Sequence, residues 1–171
     1  MLLENDKVLL RALEPGDLDF LFDIENDTKL WHLSNTTSPF SRFDLEQYIL
    51  MADKDIFKTK QLRFVIEGKN KEVVGLVDLF EFEPMHKRAG VGIMVRNNKQ
   101  KKGYASAALE VLFSYSSKKL GLHQLYCNIE SSNTVSLRLF EKNGFVKTGI
   151  KKEWNKFEDN WVDELFLQKF L

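Results

Sequence analysis

The stretch Val95-Arg96-Asn97-Asn98-Lys99-Gln100-Lys101-Lys102-Gly103-Tyr104-Ala105-Ser106 decides how the rest of the chain is read. An apolar run from Ala89 to Val95 ends there, and a helical period begins beyond Gly103. Ala105, Ala108, Leu109, Leu112 and Phe113 share one helix face, and Gly121 stands where a terminating glycine belongs. A strand that enters a helix through a short lysine-rich loop is suited to anions. The first backbone N–H groups of the helix and its dipole both favour phosphate oxygens. Gly103 lets a ligand approach the backbone, small Ala105 and Ser106 leave the first turn open, and Lys99, Lys101 and Lys102 add charge. The terminal Gly-Lys-Ser/Thr of a Walker A loop is missing, as is the second close glycine of a dinucleotide fingerprint. A solvated lysine-rich loop has the same local features, so chemistry alone leaves both readings open.

Working outward, strand and helix signals alternate. Val8-Leu9-Leu10 reads as a first strand, and Glu14-Pro15-Gly16 opens a helix through Leu18, Leu21, Phe22 and Glu25. Ser41 and Asp44 have capping-box spacing, ahead of a second helix carrying Phe43, Tyr48, Ile49 and Ala52. Three strands follow, Leu62 to Glu67, Val73 to Phe82 and Ala89 to Val95, joined by turns at Gly68–Lys71 and Pro84–Lys87. Beyond the long helix, Gln124 to Glu130 is a strand. Asn133 caps a helix with Val135, Leu139 and Phe140, stopped at Gly144. Phe145 to Phe157 and Trp161 to Phe170 close the chain as two long strands. No linker, repeat or low-complexity tract interrupts residues 1–171, which predicts a single domain. The expected class is α/β (α+β), with element order β-α-α-β-β-β-α-β-α-β-β.

Two signatures carry a family resemblance. Gln100-Lys101-Lys102-Gly103-Tyr104-Ala105 fits the Gln/Arg-x-x-Gly-x-Gly/Ala motif of the GNAT superfamily of acyl-CoA-dependent N-acyltransferases. Asn133-Thr134-Val135-Ser136-Leu137-Arg138-Leu139-Phe140-Glu141-Lys142-Asn143-Gly144-Phe145 fits its second signature, Asn-x-x-Ser/Ala followed by an aromatic and Glu-Lys-x-Gly-Phe. The hairpin from Gly75 to Ala89 is similar to one in the spermidine acetyltransferases and the ribosomal-protein N-terminal acetyltransferases. The resemblance implies a central, mostly antiparallel sheet of about seven strands, flanked by about four helices. It implies acetyl-CoA as co-substrate and no metal. Ile93, Met94 and Val95 would line the pantetheine arm between two splayed strands. Gln100, Lys101, Lys102, Gly103, Tyr104, Ala105 and Ser106 would hold the pyrophosphate, and Asn133, Phe140 and Lys142 match positions that touch the cofactor.

The chain departs from the family pattern at Phe140. Many relatives place there a tyrosine that protonates the departing thiolate, and phenylalanine has no proton to give. Ser136, four residues earlier on the same helix face, is the candidate replacement. A second reading makes it a small residue that lets the helix pack closely. Tyr104 and Cys127 are weaker candidates. Asp78, Glu81 and Glu83 lie on the strand that should flank the acceptor, where period 2 sets Glu81 and Glu83 opposite Asp78. Glu81 matches an acidic position of the spermidine branch and is the expected base or amine anchor.

Composition agrees with this class. Hydrophobic residues make up 43% of the 171 and charged residues 29%, which excludes a disordered tail. No apolar run approaches a membrane span, and the acidic start lacks signal-peptide features, so a cytoplasmic protein is expected. The single cysteine excludes an intrachain disulfide. Residues 1–85 hold 10 Lys/Arg and 17 Asp/Glu, and residues 86–171 hold 15 and 8. Such a chain suits an anion on its basic half and a cation on its acidic half. The two branches that the chain resembles imply a polyamine-like small molecule or a protein N-terminal amine as the acceptor, and neither nucleic acid nor membrane is expected as partner. The paired C-terminal strands offer a route to a homodimer. The alternative is a non-catalytic acyl-CoA-binding or sensor module, in which losing the tyrosine reflects lost turnover.

Overall fold

The alternating runs form one seven-stranded sheet in the computed structural model, which describes residues 3–52 and 55–171. Its strands are β1 (Val8–Arg11), β2 (Leu62–Gly68), β3 (Val73–Glu83), β4 (Arg88–Val95), β5 (Gln124–Glu130), β6 (Val146–Phe157) and β7 (Asn160–Phe170). They lie in the order β1-β2-β3-β4-β5-β7-β6. Every neighbouring pair is antiparallel except β4 and β5, which a crossover joins in parallel.

The described residues fall into two compact units. One holds β1 and everything from Asp55 onward, and the other runs from Ala12 to Lys54. In the sheet unit, α5 (Tyr104–Lys118) buries Ala108, Leu109 and Leu112. They join a core built from Val77 and Leu79 of β3, Ala89 and Val91 of β4, and Leu125, Cys127 and Ile129 of β5. Each large apolar side chain buried there contributes on the order of 2 kcal/mol, which holds the helix start in place on the sheet. α6 (Thr134–Lys142) adds Phe140, while Val135 in its first turn is 71% exposed and stands outside the core.

In the helical unit a 3-10 turn (Pro15–Asp17) leads into α1 (Leu18–Glu25), followed by α2 (Trp31–Ser34) and α3 (Arg42–Met51). The expected capping box starts α3: Ser41 Oγ accepts from the Asp44 N–H at 3.0 Å, and the Ser41 N–H donates to the Asp44 carboxylate at 3.3 Å. The buried positions of α3 are Leu45 and Ile49, and Phe43 is 66% exposed. Arg42 pairs with Asp19 and lies over the Phe22 ring, 4.6 Å from its centroid.

The helix total exceeds the expected four because two one-turn helices, α2 and α4 (Ile56–Thr59), have no period to read. Each closes on a left-handed residue, Asn35 at φ 55° and Lys60 at φ 60°.

Candidate functional site

β4 and β5 pair only at Arg88–Gln124, Ala89–Leu125 and Gly90–Tyr126. Beyond that point β4 keeps its ladder with β3 as far as Val95, and β5 keeps its ladder with β7 as far as Glu130. The two strands therefore diverge, and their facing backbone groups have no ladder partner across the opening. Such edges are open to an extended ligand that supplies the missing hydrogen bonds. Ile93 and Val95 turn into the core, and Met94 between them is half-buried.

The loop at the end of β4 tightens into a 3-10 turn at Asn97–Lys99. The Gln100 side chain folds back and donates to the Val95 carbonyl and to Asn97 Oδ1, both at 3.2 Å. Lys101 and Lys102 are exposed, but the Lys99 ammonium is held by Glu72 at 2.6 Å and its charge is spent there. Gly103 is the N-cap of α5 at φ 79°, a conformation that favours glycine. It brings no capping side chain, so the first N–H groups of a 15-residue helix stay open to an anion.

Lys7, which the sequence reading did not single out, adds to this site. A Cβ built on Gly103 would lie 3.1 Å from Lys7 Nζ, and that ammonium also stands 5.4 Å from the centroid of the half-buried Tyr104 ring. The separation of Lys7 from the motif, bridged only by sheet packing, left no sequence signal. Ala105 is half-buried, and Ser106 accepts a 3.1 Å hydrogen bond from Asn143 Nδ2 at the end of α6. Beside Ser106 opens a cavity of about 540 Å³ with Lys7 and Lys169 on its wall.

On α6, Asn133 is a helix cap whose Oδ1 accepts from the Ser136 N–H at 3.1 Å. The half-buried Ser136 hydroxyl has no partner among the described residues. Phe140 is 4% exposed, its ring edge-on to Phe145 at 4.9 Å in the core, and Lys142 is exposed in the last turn.

The acidic strand departs from its period. The core-facing residues of β3 run Val77, Leu79, Phe82, because the register with β4 shifts between Phe80 and Glu83. The bulge therefore brings Glu83 round to the face of Asp78 and Phe80, away from the core, instead of leaving it opposite Asp78. Asp78 is also engaged: Arg63 grips it with two hydrogen bonds, at 2.7 and 3.1 Å. Glu81 sits in the bulge at φ 47°, exposed, and its carboxylate accepts from the Tyr126 hydroxyl. Burial, then the neighbouring Glu81 carboxylate, push the Tyr126 hydroxyl well above the ordinary tyrosine range, so it stays protonated. Among the described residues, no group of three or more His, Cys, Asp or Glu side chains is placed as metal ligands would be.

A family model described as an acetyltransferase (GNAT) domain matches residues 7–146. A spermidine N(1)-acetyltransferase of Vibrio cholerae is 33% identical over 149 residues, covering 85% of this chain and 82% of the relative. The Escherichia coli K12 protein of the same name is 30% identical over 146 residues, covering 83% and 74%. The crystal structure of the Vibrio cholerae spermidine N-acetyltransferase with CoA and spermine superposes with a TM-score of 0.85 at 29% identity, covering 97% of this chain and 96% of that one.

Proposed function

The chain belongs to the GNAT acetyltransferase family, and we propose that it moves the acetyl group of acetyl-CoA to a primary amine of a polyamine. As a member of that family it is an acetyl-CoA-dependent N-acetyltransferase, and the open question is the acceptor. The observation that carries the polyamine reading is the Glu81 carboxylate, held beside the row where β4 and β5 part. A second support is charge: residues 1–85 hold 17 Asp/Glu and 10 Lys/Arg, a balance that favours a cationic acceptor. The relatives named for spermidine point the same way.

In this reading the bare N-terminus of α5, with Gly103, Ala105, Ser106 and the exposed Lys101 and Lys102, binds the pyrophosphate. Lys7 supplies the cation that Lys99 does not. The cavity beside Ser106 gives room for the rest of the nucleotide. The unladdered edge of β4 at Ile93, Met94 and Val95 receives the pantetheine amides, and a backbone N–H there polarises the thioester carbonyl. Losing one such donor typically costs about 3 kcal/mol in barrier height. Glu81 anchors the cationic acceptor and takes its proton through water. Phe140 has no hydroxyl and is packed in the core, so Ser136 is the group on α6 assigned to the departing thiolate. Asn133 acts on the site by fixing the start of α6.

The test is CoA titration calorimetry followed by thiol release with spermidine, spermine and a dipeptide amine. Thiol release with a polyamine, and none with the dipeptide, is the expected result. Glu81→Gln should raise the polyamine KM about tenfold, the scale of one charge-assisted contact, and leave the acetyl-CoA KM alone. CoA binding with turnover on the dipeptide only would reassign the acceptor to a protein N-terminus. Binding with no turnover on any amine would favour the sensor reading.

A further inference from the structure

The sheet brings three strands into one row at the point where β4 and β5 part: Phe80 of β3 and Tyr126 of β5 are both register partners of Gly90 of β4. All three lie on the face away from the α5 core, since Leu79, Ala89, Leu125 and Cys127 face that core. Gly90 puts no side chain into the middle of the row. Phe80 and Tyr126 meet over it, ring centroids 6.1 Å apart and nearly perpendicular. Phe166 of β7 supports the tyrosine from its other side at 5.5 Å. From this seat the Tyr126 hydroxyl reaches across β4 to the Glu81 carboxylate, which the β3 bulge turns towards it. Glu81 is exposed and has left-handed backbone, an uncommon state for a residue with a Cβ. A free glutamate so placed would sample many rotamers.

We infer that Tyr126 is a positioning residue for the acceptor amine: its hydroxyl fixes the Glu81 carboxylate beside the strand opening, leaving the second oxygen free for a cationic amine. The inference rests on Glu81 being the acceptor's anchor, as proposed above. Tyr126 is assigned no proton transfer, because it donates to a carboxylate that favours its protonated form. Its contribution is to remove the rotamer freedom that Glu81 would otherwise lose on binding the amine. Gly90 is part of the device, because any side chain there would occupy the path between the rings.

A double-mutant cycle with Tyr126→Phe and Glu81→Gln tests this, reading kcat and both KM values for spermidine and acetyl-CoA. Phenylalanine keeps the ring contacts with Phe80 and Phe166, and CoA calorimetry together with the melting temperature verifies that each variant folds. In the wild-type background Tyr126→Phe is expected to raise the spermidine KM about fivefold, the scale of one ordinary net hydrogen bond, with the acetyl-CoA KM unchanged. In the Glu81→Gln background the same change should have little further effect, a coupling that a merely structural role would not give. If Glu81→Gln raises the amine KM and Tyr126→Phe does not, the positioning role fails while the anchor stands. Additive effects of the two substitutions, or an effect of Tyr126→Phe on acetyl-CoA KM alone, would also overturn it. If neither substitution changes the amine KM, the anchor reading itself falls.

Discussion

The Phe80 ring occupies the space in which a side chain at Gly90 would stand: a Cβ built there would lie 2.2 Å from Phe80 Cε2. This is far inside van der Waals contact, and the obstruction is a ring packed edge-on to Tyr126, with no flexible end to move aside. Gly90→Ala should therefore displace Phe80, cost about 2 kcal/mol of stability and raise the polyamine KM by disturbing the Tyr126–Glu81 contact. Thermal unfolding and steady-state kinetics check the two parts. An alanine variant with wild-type melting temperature and kinetics would show that the row tolerates a side chain.

The strands were legible as apolar runs, and their partners were legible where a clear turn joins two of them, as with Leu62–Glu67 and the Gly68–Lys71 turn; the pairings of β1 with β2, β4 with β5 and β5 with β7 were not. The loop before α5 was legible for a related reason: a helix start next to a glycine is written in consecutive residues. The Tyr126–Glu81 contact was not. It depends on a bulge between Phe80 and Glu83 that leaves no mark in the alternation of Leu79, Phe80, Glu81 and Phe82. The alternation of Leu125, Cys127 and Ile129 did carry a signal, since it sets Tyr126 on the opposite face with Gln124 and Asn128, but nothing local says what it meets there. Lys7 was hidden by separation along the chain, and the loss of Lys99 to Glu72 by an ion pair between the loop and the turn that precedes β3. Contacts made by distant residues are fixed by packing, and single-sequence patterns do not encode them.

Gly103 offers a direct test of the proposed anion site. At φ 79° an alanine is strained by about 1 kcal/mol, while its Cβ would meet only the flexible end of Lys7, 3.1 Å away. Gly103→Ala should fold, lose roughly that much stability and bind CoA more weakly, because the new methyl group crowds the open N–H groups and pushes the Lys7 ammonium aside. Acetyl-pantetheine, which lacks the pyrophosphate, should be used as well by the variant as by the wild type. Calorimetry with CoA and kinetics with the truncated thioester separate these effects. Equal losses for both would mean that the substitution acts through the fold and not through the phosphate site.

Ser116, in the last turn of α5, is fully buried, and its hydroxyl has no hydrogen-bond partner among the described residues. An unsatisfied buried hydroxyl costs about 1–3 kcal/mol, and alanine is also the better helix former. Ser116→Ala is expected to stabilise the protein by about 1 kcal/mol, a rise of roughly 2–4 °C in melting temperature for a chain of this size. Kinetic constants should not change, since Ser116 lies in the last turns of α5, far along the helix from Gly103. A drop in melting temperature would mean that the hydroxyl contributes to packing.

Cys127 is the chain's single cysteine, 2% exposed on the core face of β5, and burial pushes its thiol up to about 12. Only the thiolate reacts with disulfide reagents, so at pH 8 about one molecule in 10⁴ presents it even before access is considered. A thiol-release assay on the folded protein should therefore report CoA alone. Titration with a disulfide reagent should find no reactive thiol until denaturant is added, and one thereafter. The same shift makes a prediction for alkaline stability. The folded-state value lies above the unfolded one, so the stability is fully present below about pH 9 and is lost as pH rises toward 12, at about 1 kcal/mol per unit. Cys127→Ala should flatten that part of the unfolding profile while lowering stability at neutral pH through the lost sulfur contacts. A slope between pH 9 and 11 that is unchanged by the substitution would place the alkaline sensitivity in another group.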